Sequence, residues 1–243
     1  MSPLPRIGLV LFVTVFLSVL RADEPGAWER VPLDSLEAFR PVTNNWRIAG
    51  GIGGEPGRSR DITPLPGTGI VVSNPVEGGA NDQLFTAWEH GDLELEAEFL
   101  LTPRTNSGLY LQGRYEVQLF DSWGVDAPGF ADSGGIFQRW DPARGAGREG
   151  FDGHAPRTNA SRPAGEWQRL RLVFRAPRFD AAGVKVAHAR ILRVELNGIL
   201  VQENVELTGP TRAAPYDDEK PFGPVMFQSN HGPVAFRAIR VRR

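Results

Sequence analysis

Apolar and polar residues alternate with period two along most of the chain. Leu93, Leu95, Ala97 and Phe99 are interleaved with Glu94, Glu96 and Glu98; Leu170, Leu172 and Phe174 with Arg169, Arg171 and Val173; Leu192, Val194 and Leu196 with Arg193 and Glu195. Successive side chains of a strand point to opposite faces, so each run predicts a strand buried on one side. Asn197-Gly198 lies between two apolar runs and predicts a type I′ hairpin, whose two turn positions both need positive φ. A last strand is expected over 234–241. Only Leu33 to Phe39 suggests a short helix, with Asp34 as its cap and Glu37 three residues on. Many strands joined by Gly- and Pro-rich connections predict an all-β sandwich or jelly roll.

The stretch from Asn106 to Ser122 holds two alternating runs separated by a short turn. A two-residue loop at Gly113-Arg114 would pair Leu111 with Glu116 and mix the faces. A three-residue loop, Gly113 to Tyr115, pairs Leu111 with Val117 and Gln112 with Glu116, so register and burial agree. Tyr110, Gln112, Glu116 and Gln118 are then expected on one polar, solvent-facing patch. Such a patch is either an ordinary wet sheet face or the floor of a site.

Two long irregular regions interrupt the strands, 123–163 and 208–224, and loops of that length in a compact domain commonly carry function. The first holds Gln138, Arg139, Trp140, Asp152 and His154. Folded over one sheet face, these loops would make a cleft of Trp, Gln and Arg side chains, which suits a sugar held by stacking and hydrogen bonds. Trp123 and Trp140 are the candidate stacking platforms, whereas Trp46, Trp88 and Trp167 sit beside strand runs and are expected in the core.

At the N-terminus Arg6 precedes an apolar run from Ile7 to Leu20 that ends near Ala22. This predicts a signal peptide over 1–22 and an exported, secreted or periplasmic protein, because the run falls short of the ~20 apolar residues of a spanning helix. No stable membrane insertion is expected after cleavage, and 23–243 reads as a single domain. Removing the leader takes Arg6 and Arg21 from the 27 basic residues and none of the 29 acidic ones, so the remainder carries a net charge of −4. Without a basic block, nucleic acid is not an expected partner. The chain has no cysteine, which excludes disulfides and cysteine-based metal or nucleophile sites.

Several motifs recur in one order along the chain: Trp46-Arg-Ile-Ala-Gly-Gly, Gly91-Asp-Leu-Glu-Leu-Glu-Ala-Glu-Phe, Asn106-Ser-Gly-Leu-Tyr-Leu-Gln, Tyr115-Glu-Val-Gln-Leu, Gly165-Glu-Trp-Gln, Leu196-Asn-Gly and Pro233-Val-Ala-Phe-Arg-Ala-Ile-Arg-Val. Together they resemble the DUF1080 family, described as 3-keto-glucoside lyases, 3-keto-glucal hydratases or 3-keto-disaccharide hydrolases. The chain departs from the family's habit at Ala238, where Asn is common. The resemblance implies a concanavalin-like jelly-roll β-sandwich with long loops over one sheet face, and a small carbohydrate substrate. No organic cofactor is expected, and a divalent metal that polarises the ketone is left open, with no residue assigned as its ligand.

A ketone at C3 of a glucoside acidifies the proton on C2, so a base can remove it while the C1 substituent leaves by β-elimination, after which water adds back. Such a site needs a base, a cation or donor for the enolate, and a proton donor for the leaving oxygen. Glu116 is the first choice for the base, His154 the competing one, and Arg139 the enolate or hydroxyl partner. Tyr110, Gln112, Gln118, Gln228 and His231 are expected sugar contacts. Direct glycoside hydrolysis would require a second acid roughly 5–9 Å from the first. Gln118 stands where it could sit, Asp121 has the opposite parity, and Asp132, Asp141 or Asp152 could supply it only from a loop. A binding module without turnover is the other alternative, since a fold does not fix a function.

The remaining features have plainer readings. The Glu94, Glu96, Glu98 row is expected to be a solvated face, Asp217 to Glu219 a mobile acidic loop, Gly50 to Gly57 a loop rather than a phosphate cradle, and His90 and His188 surface residues. Asn159-Ala160-Ser161 is a sequon.

Overall fold

The computed structural model describes residues 26–42, 45–75 and 82–243, so the leader lies outside the described residues. In chain order the strands are β1 (Glu29–Arg30), β2 (Trp46–Gly53), β3 (Thr63–Ser73), β4 (Leu84–Phe85), β5 (Leu93–Leu101), β6 (Asn106–Leu111), β7 (Tyr115–Phe120) and β8 (Arg139–Trp140). They continue as β9 (Gly150–Phe151), β10 (Gln168–Arg175), β11 (Arg178–Phe179), β12 (Lys185–Ala187), β13 (Ala189–Leu196), β14 (Ile199–Leu207), β15 (Met226–Phe227) and β16 (Val234–Arg242). The large antiparallel sheet runs β14-β13-β10-β5-β16-β3-β2, with β1 added to β16; the small one runs β4-β15-β6-β7. Their facing sides enclose the main core, and the fold is an all-β jelly-roll sandwich.

The alternating runs bury the side predicted for them. Leu93, Leu95, Ala97 and Phe99 of β5 meet Leu109, Leu111, Val117 and Leu119 of the hairpin within one hydrophobic cluster. Phe227 of the small sheet packs edge-on against Phe236 of the large one at 4.9 Å between centroids. Asn197 and Gly198 take φ of 54° and 82°, as a type I′ turn requires.

The outer side of β5 is an ion-pair lattice rather than a solvated row. Glu96 accepts from Arg169 at 2.7 Å and from Arg240 at 2.5 Å, Glu98 from Arg237 at 2.7 Å, and Glu94 from Arg242. These arginines come from the two strands that flank β5, so cross-strand register decides the pairing.

Three other expectations change. Residues 33–39 form turns and bends rather than a helix, because Leu33 and Phe39 are drawn into the core by the sheets and the run is too short to sustain its own helix. The helical turn present among the described residues is a 3-10 turn at Pro142–Arg144, capped by Asp141. Gly50 to Gly53 belong to β2; a Cβ on Gly50 would stand 2.6 Å from the Pro66 carbonyl, which is why glycine sits there. Leu192 is solvent-exposed while Ile191 and Val194 are buried, because the β10–β13 register slips between Val173 and Phe174.

Among the described residues no helix is long and apolar enough to cross a membrane.

Candidate functional site

The hairpin of β6 and β7 has Leu111 opposite Tyr115, Tyr110 opposite Glu116 and Gly108 opposite Gln118. The register therefore differs by two residues from the expected pairing, and the turn is Gln112, Gly113 and Arg114. A slip of two leaves every side chain that is still paired on its predicted face, whereas a slip of one would have inverted them. Met226 of β15 pairs with Tyr110 on the other flank, and the amide N–H of Gln228 donates to the Gly108 carbonyl at 2.9 Å. Tyr110, Gly108, Glu116, Gln118, Met226 and Gln228 consequently share the small sheet's outer face. Tyr110 and Met226 are buried, yet among the described residues they are the two buried apolar side chains that belong to neither hydrophobic cluster.

That face is enclosed, not open to solvent as expected: Glu116 is 3% exposed, Gln118 1% and Gln228 9%. The 134–138 segment extends the sheet beside β7, with the Gln118 N–H donating to the Gly135 carbonyl at 2.9 Å and the Phe137 N–H to the Glu116 carbonyl at 3.1 Å. On the same edge the Glu116 N–H donates to the Thr211 hydroxyl at 3.3 Å. Burial pushes the Glu116 carboxyl up to about 8, and a hydrogen bond from the Tyr110 hydroxyl opposes it. Burial, reinforced by the charge of Glu116, drives the Tyr110 phenol above its usual value. The Gln118 amide donates to Asn106 Oδ1 at 2.8 Å, but the carbonyl oxygens of Gln118 and Gln228 are buried without a donor. Buried polar atoms are normally satisfied, so two free acceptors in one row are places where a hydroxyl-bearing molecule would gain hydrogen bonds.

The other predicted residues scatter. Gln112 is not on the polar face: it sits in the turn at φ 53°, and its amide donates to the carbonyls of His90 and Pro221 at 3.1 and 2.9 Å. His154 pairs with Ile136, which pairs with Val117, so register places it on the face opposite Glu116. Arg139 donates to the Thr208 hydroxyl at 2.8 Å and lies over the Phe151 ring at 4.8 Å, with its Nε–H buried and unpaired. Trp123 is exposed, and Trp140 carries the Arg212 guanidinium on its ring at 3.8 Å. The exposed His231 lies at the end of β6, its carbonyl accepting from the Asn106 N–H at 3.2 Å.

Among the described residues, the strands of the small sheet carry no carboxylate besides Glu116. Asp121 accepts from the Arg104 N–H, Asp132 from the Ser122 hydroxyl and the Gly129 N–H, Asp141 from the Ala143 N–H, and Asp152 from the Thr208 hydroxyl. Among the described residues no three His, Asp or Glu side chains converge on a metal-sized site. The acidic loop is pinned rather than mobile, with Asp218 on Arg114 at 2.5 Å and Glu219 accepting from the Tyr115 hydroxyl at 2.7 Å and from Lys185. His90 is buried, not on the surface. Its Nδ1 donates to the Gly91 carbonyl at 2.8 Å and its Nε2 accepts from the Gln112 N–H at 3.1 Å, while desolvation lowers it to about 4. A cavity of about 380 Å³ lies elsewhere, on the outer side of the large sheet, and its buried carboxylate, Glu96, is already shared by Arg169 and Arg240.

Sequence reasoning missed Gly108, Asn106, Met226 and Thr211. Gly108 was discernible as a glycine inside an alternating run, which marks a close approach; Thr211 comes from a loop whose course no local pattern reveals.

No curated protein is detectably similar in sequence. Two solved structures of candidate glycosyl hydrolases from Parabacteroides distasonis ATCC 8503 share the fold. One is 20% identical, with 95% of this chain and 97% of that one aligned at a TM-score of 0.55; the other is 16% identical, with 89% and 99% aligned at 0.57. The model of the 3-keto-alpha-glucoside-1,2-lyase-like domain matches residues 36–242, nearly the whole described sandwich, and the chain belongs to that family.

Proposed function

We propose that this chain is an exported enzyme that cleaves 3-keto-glucosides by β-elimination across C1 and C2, followed by hydration, with Glu116 as the base. One observation carries the reading: a lone carboxylate, buried and held near 8, sits between a tyrosine hydroxyl and two unpaired amide oxygens. A base of that affinity matches the weakly acidic proton beside a ketone far better than an ordinary glutamate would. Elimination needs one strong base, and one carboxylate is what the face offers. The free oxygens of Gln118 and Gln228 suit sugar hydroxyls, which donate. Arg139 is given no role, since its guanidinium is held by the Thr208 hydroxyl and the Phe151 ring, apart from the Glu116 row. His154 has no role in this reading, because register turns it from Glu116.

Purified protein incubated with a 3-keto-glucoside tests the proposal. Wild type and His154→Ala should release the aglycone, and Glu116→Gln should lose at least about 100-fold in rate. Undiminished turnover in Glu116→Gln would remove the mechanism, and saturable sugar binding without turnover by wild type would make the chain a binding module.

A further inference from the structure

The elimination reading leaves the group that protonates the departing oxygen unassigned. We infer that Tyr110 is that group and is recharged by Glu116, so that the two residues form one shuttle carrying the C2 proton to the leaving oxygen. This rests on the elimination reading and extends it.

Geometry is the first support. Tyr110 and Glu116 are directly opposed across β6 and β7, on the outer face, which brings the phenol and the carboxylate close enough to couple. Gly108, two residues from Tyr110, leaves the space that the carboxylate occupies. The two atoms the reaction must serve are neighbours as well, the hydrogen on C2 and the oxygen on C1. A pair of protein groups so coupled can address both when the C1–C2 edge of the sugar faces the sheet.

The balance closes without a co-reactant. Glu116 takes the proton from C2, and the electrons of that C–H bond become the C1–C2 double bond. The C1–O electrons leave with the oxygen, which receives the phenolic proton of Tyr110. Protonated Glu116 then returns its proton to the phenolate. The direction of that last transfer follows from the affinities, since the phenol is raised above its ordinary 10 while the carboxyl is pushed only to about 8. Both residues end as they began. Hydration runs the same path backwards: Tyr110 takes a proton from the attacking water as it passes its own to Glu116, and Glu116 delivers to C2. No oxidation or reduction occurs in either half.

The test compares wild type, Tyr110→Phe and Glu116→Gln on 3-keto-glucosides whose leaving groups run from 4-nitrophenoxide, which departs without a proton, to methoxide, which does not. Tyr110→Phe should slow the methyl glucoside about 100-fold or more and the nitrophenyl glucoside by less than about 10-fold, whereas Glu116→Gln should slow both. A purely structural tyrosine would slow all leaving groups alike. Equal losses across the series, or none, overturn the shuttle and leave the elimination reading standing; failure of wild type to turn over any of them overturns both. Should Tyr110→Phe not fold, 3-fluorotyrosine at position 110 keeps the ring and changes only the phenol's acidity. Its rate should then shift on the methyl glucoside and not on the nitrophenyl one, and a uniform response would again overturn the shuttle.

Discussion

Gly108 makes room for Glu116: a Cβ at position 108 would lie 2.4 Å from Oε1 of the carboxylate and 3.0 Å from its Cγ. The glycine is not needed for its backbone freedom, since its φ is not positive. Gly108→Ala should therefore fold, because the far end of a side chain can swing aside. The displaced carboxylate should cost at least about 10-fold in turnover, in line with the sensitivity of reacting groups to small misplacements. A thermal melt beside an activity assay checks this, and an alanine variant with full activity would contradict it.

Glu116 also sets a pH dependence. Its folded value of about 8 lies above the ordinary 4.5, so the native state holds this proton more tightly than the unfolded chain does. Its contribution to stability is complete below about 4.5 and is lost as pH rises through 8. Relative to wild type, Glu116→Gln should gain up to about 1.4 kcal/mol for each pH unit across that window. Activity should run the other way, with kcat/KM rising towards pH 8 as the base deprotonates. Urea melts of both proteins at pH 5, 7 and 9 check the first part, and a pH–rate profile the second.

The composition of this face was legible because parity is robust. Tyr110, Glu116 and Gln118 stayed together although the pairing was wrong by two, since even slips preserve faces. The turn was not legible. Gln112 reads as a strand residue, yet two distant carbonyls, of His90 and Pro221, hold its amide and tolerate its positive φ. His154 failed for a similar reason: the face it takes depends on Ile136 bridging to Val117, a pairing inside a long loop with no alternation to announce it. Local pattern sets which side of a strand is apolar, whereas long-range contacts decide which loop lies beside it.

Gln118 and Gln228 should show opposite effects on stability and binding. A buried acceptor without a donor costs about 1–3 kcal/mol, so replacing Gln228 by methionine should raise the melting temperature, by about 2–4 °C per kcal/mol for a domain of this size; at Gln118 the gain should be smaller, because the change also takes from Asn106 Oδ1 its donor at 2.8 Å. The same change removes an acceptor for a substrate hydroxyl and should raise KM about 10-fold with little change in kcat. A variant that loses stability and leaves KM unchanged would mark the residue as structural.

Ala238 sits at φ 50°, where the β5–β16 register shifts between Arg237 and Arg240. Left-handed backbone costs an L-residue with a Cβ about 1–2 kcal/mol, and asparagine or glycine less. Ala238→Asn should accordingly stabilise the fold by about 0.5–1 kcal/mol with activity unchanged, because the bulge belongs to the large sheet. Chemical denaturation measures the gain.

His90 holds the far end of the hairpin. Its ring joins the turn, through the Gln112 N–H, to the Gly91 carbonyl, and it packs edge-on against Phe174 at 5.7 Å. A protonated imidazole cannot accept from Gln112, and burial lowers the histidine from 6.5 to about 4. The unfolded chain thus takes up this proton first. The stability that a neutral His90 supplies is intact above about 6.5 and falls as pH drops towards 4, by up to about 1.4 kcal/mol per unit. Arg243 and Asp92, the charged groups near it, act in opposite directions and leave burial dominant. His90→Gln should be less stable than wild type at pH 7.5 and should lose less on acidification, since its amide does not titrate. Denaturation at pH 7.5, 6 and 4.5 reads the difference between the two proteins, in which the carboxylates common to both cancel; a constant difference across the range would mean that His90 is not the acid-sensitive clasp of this turn.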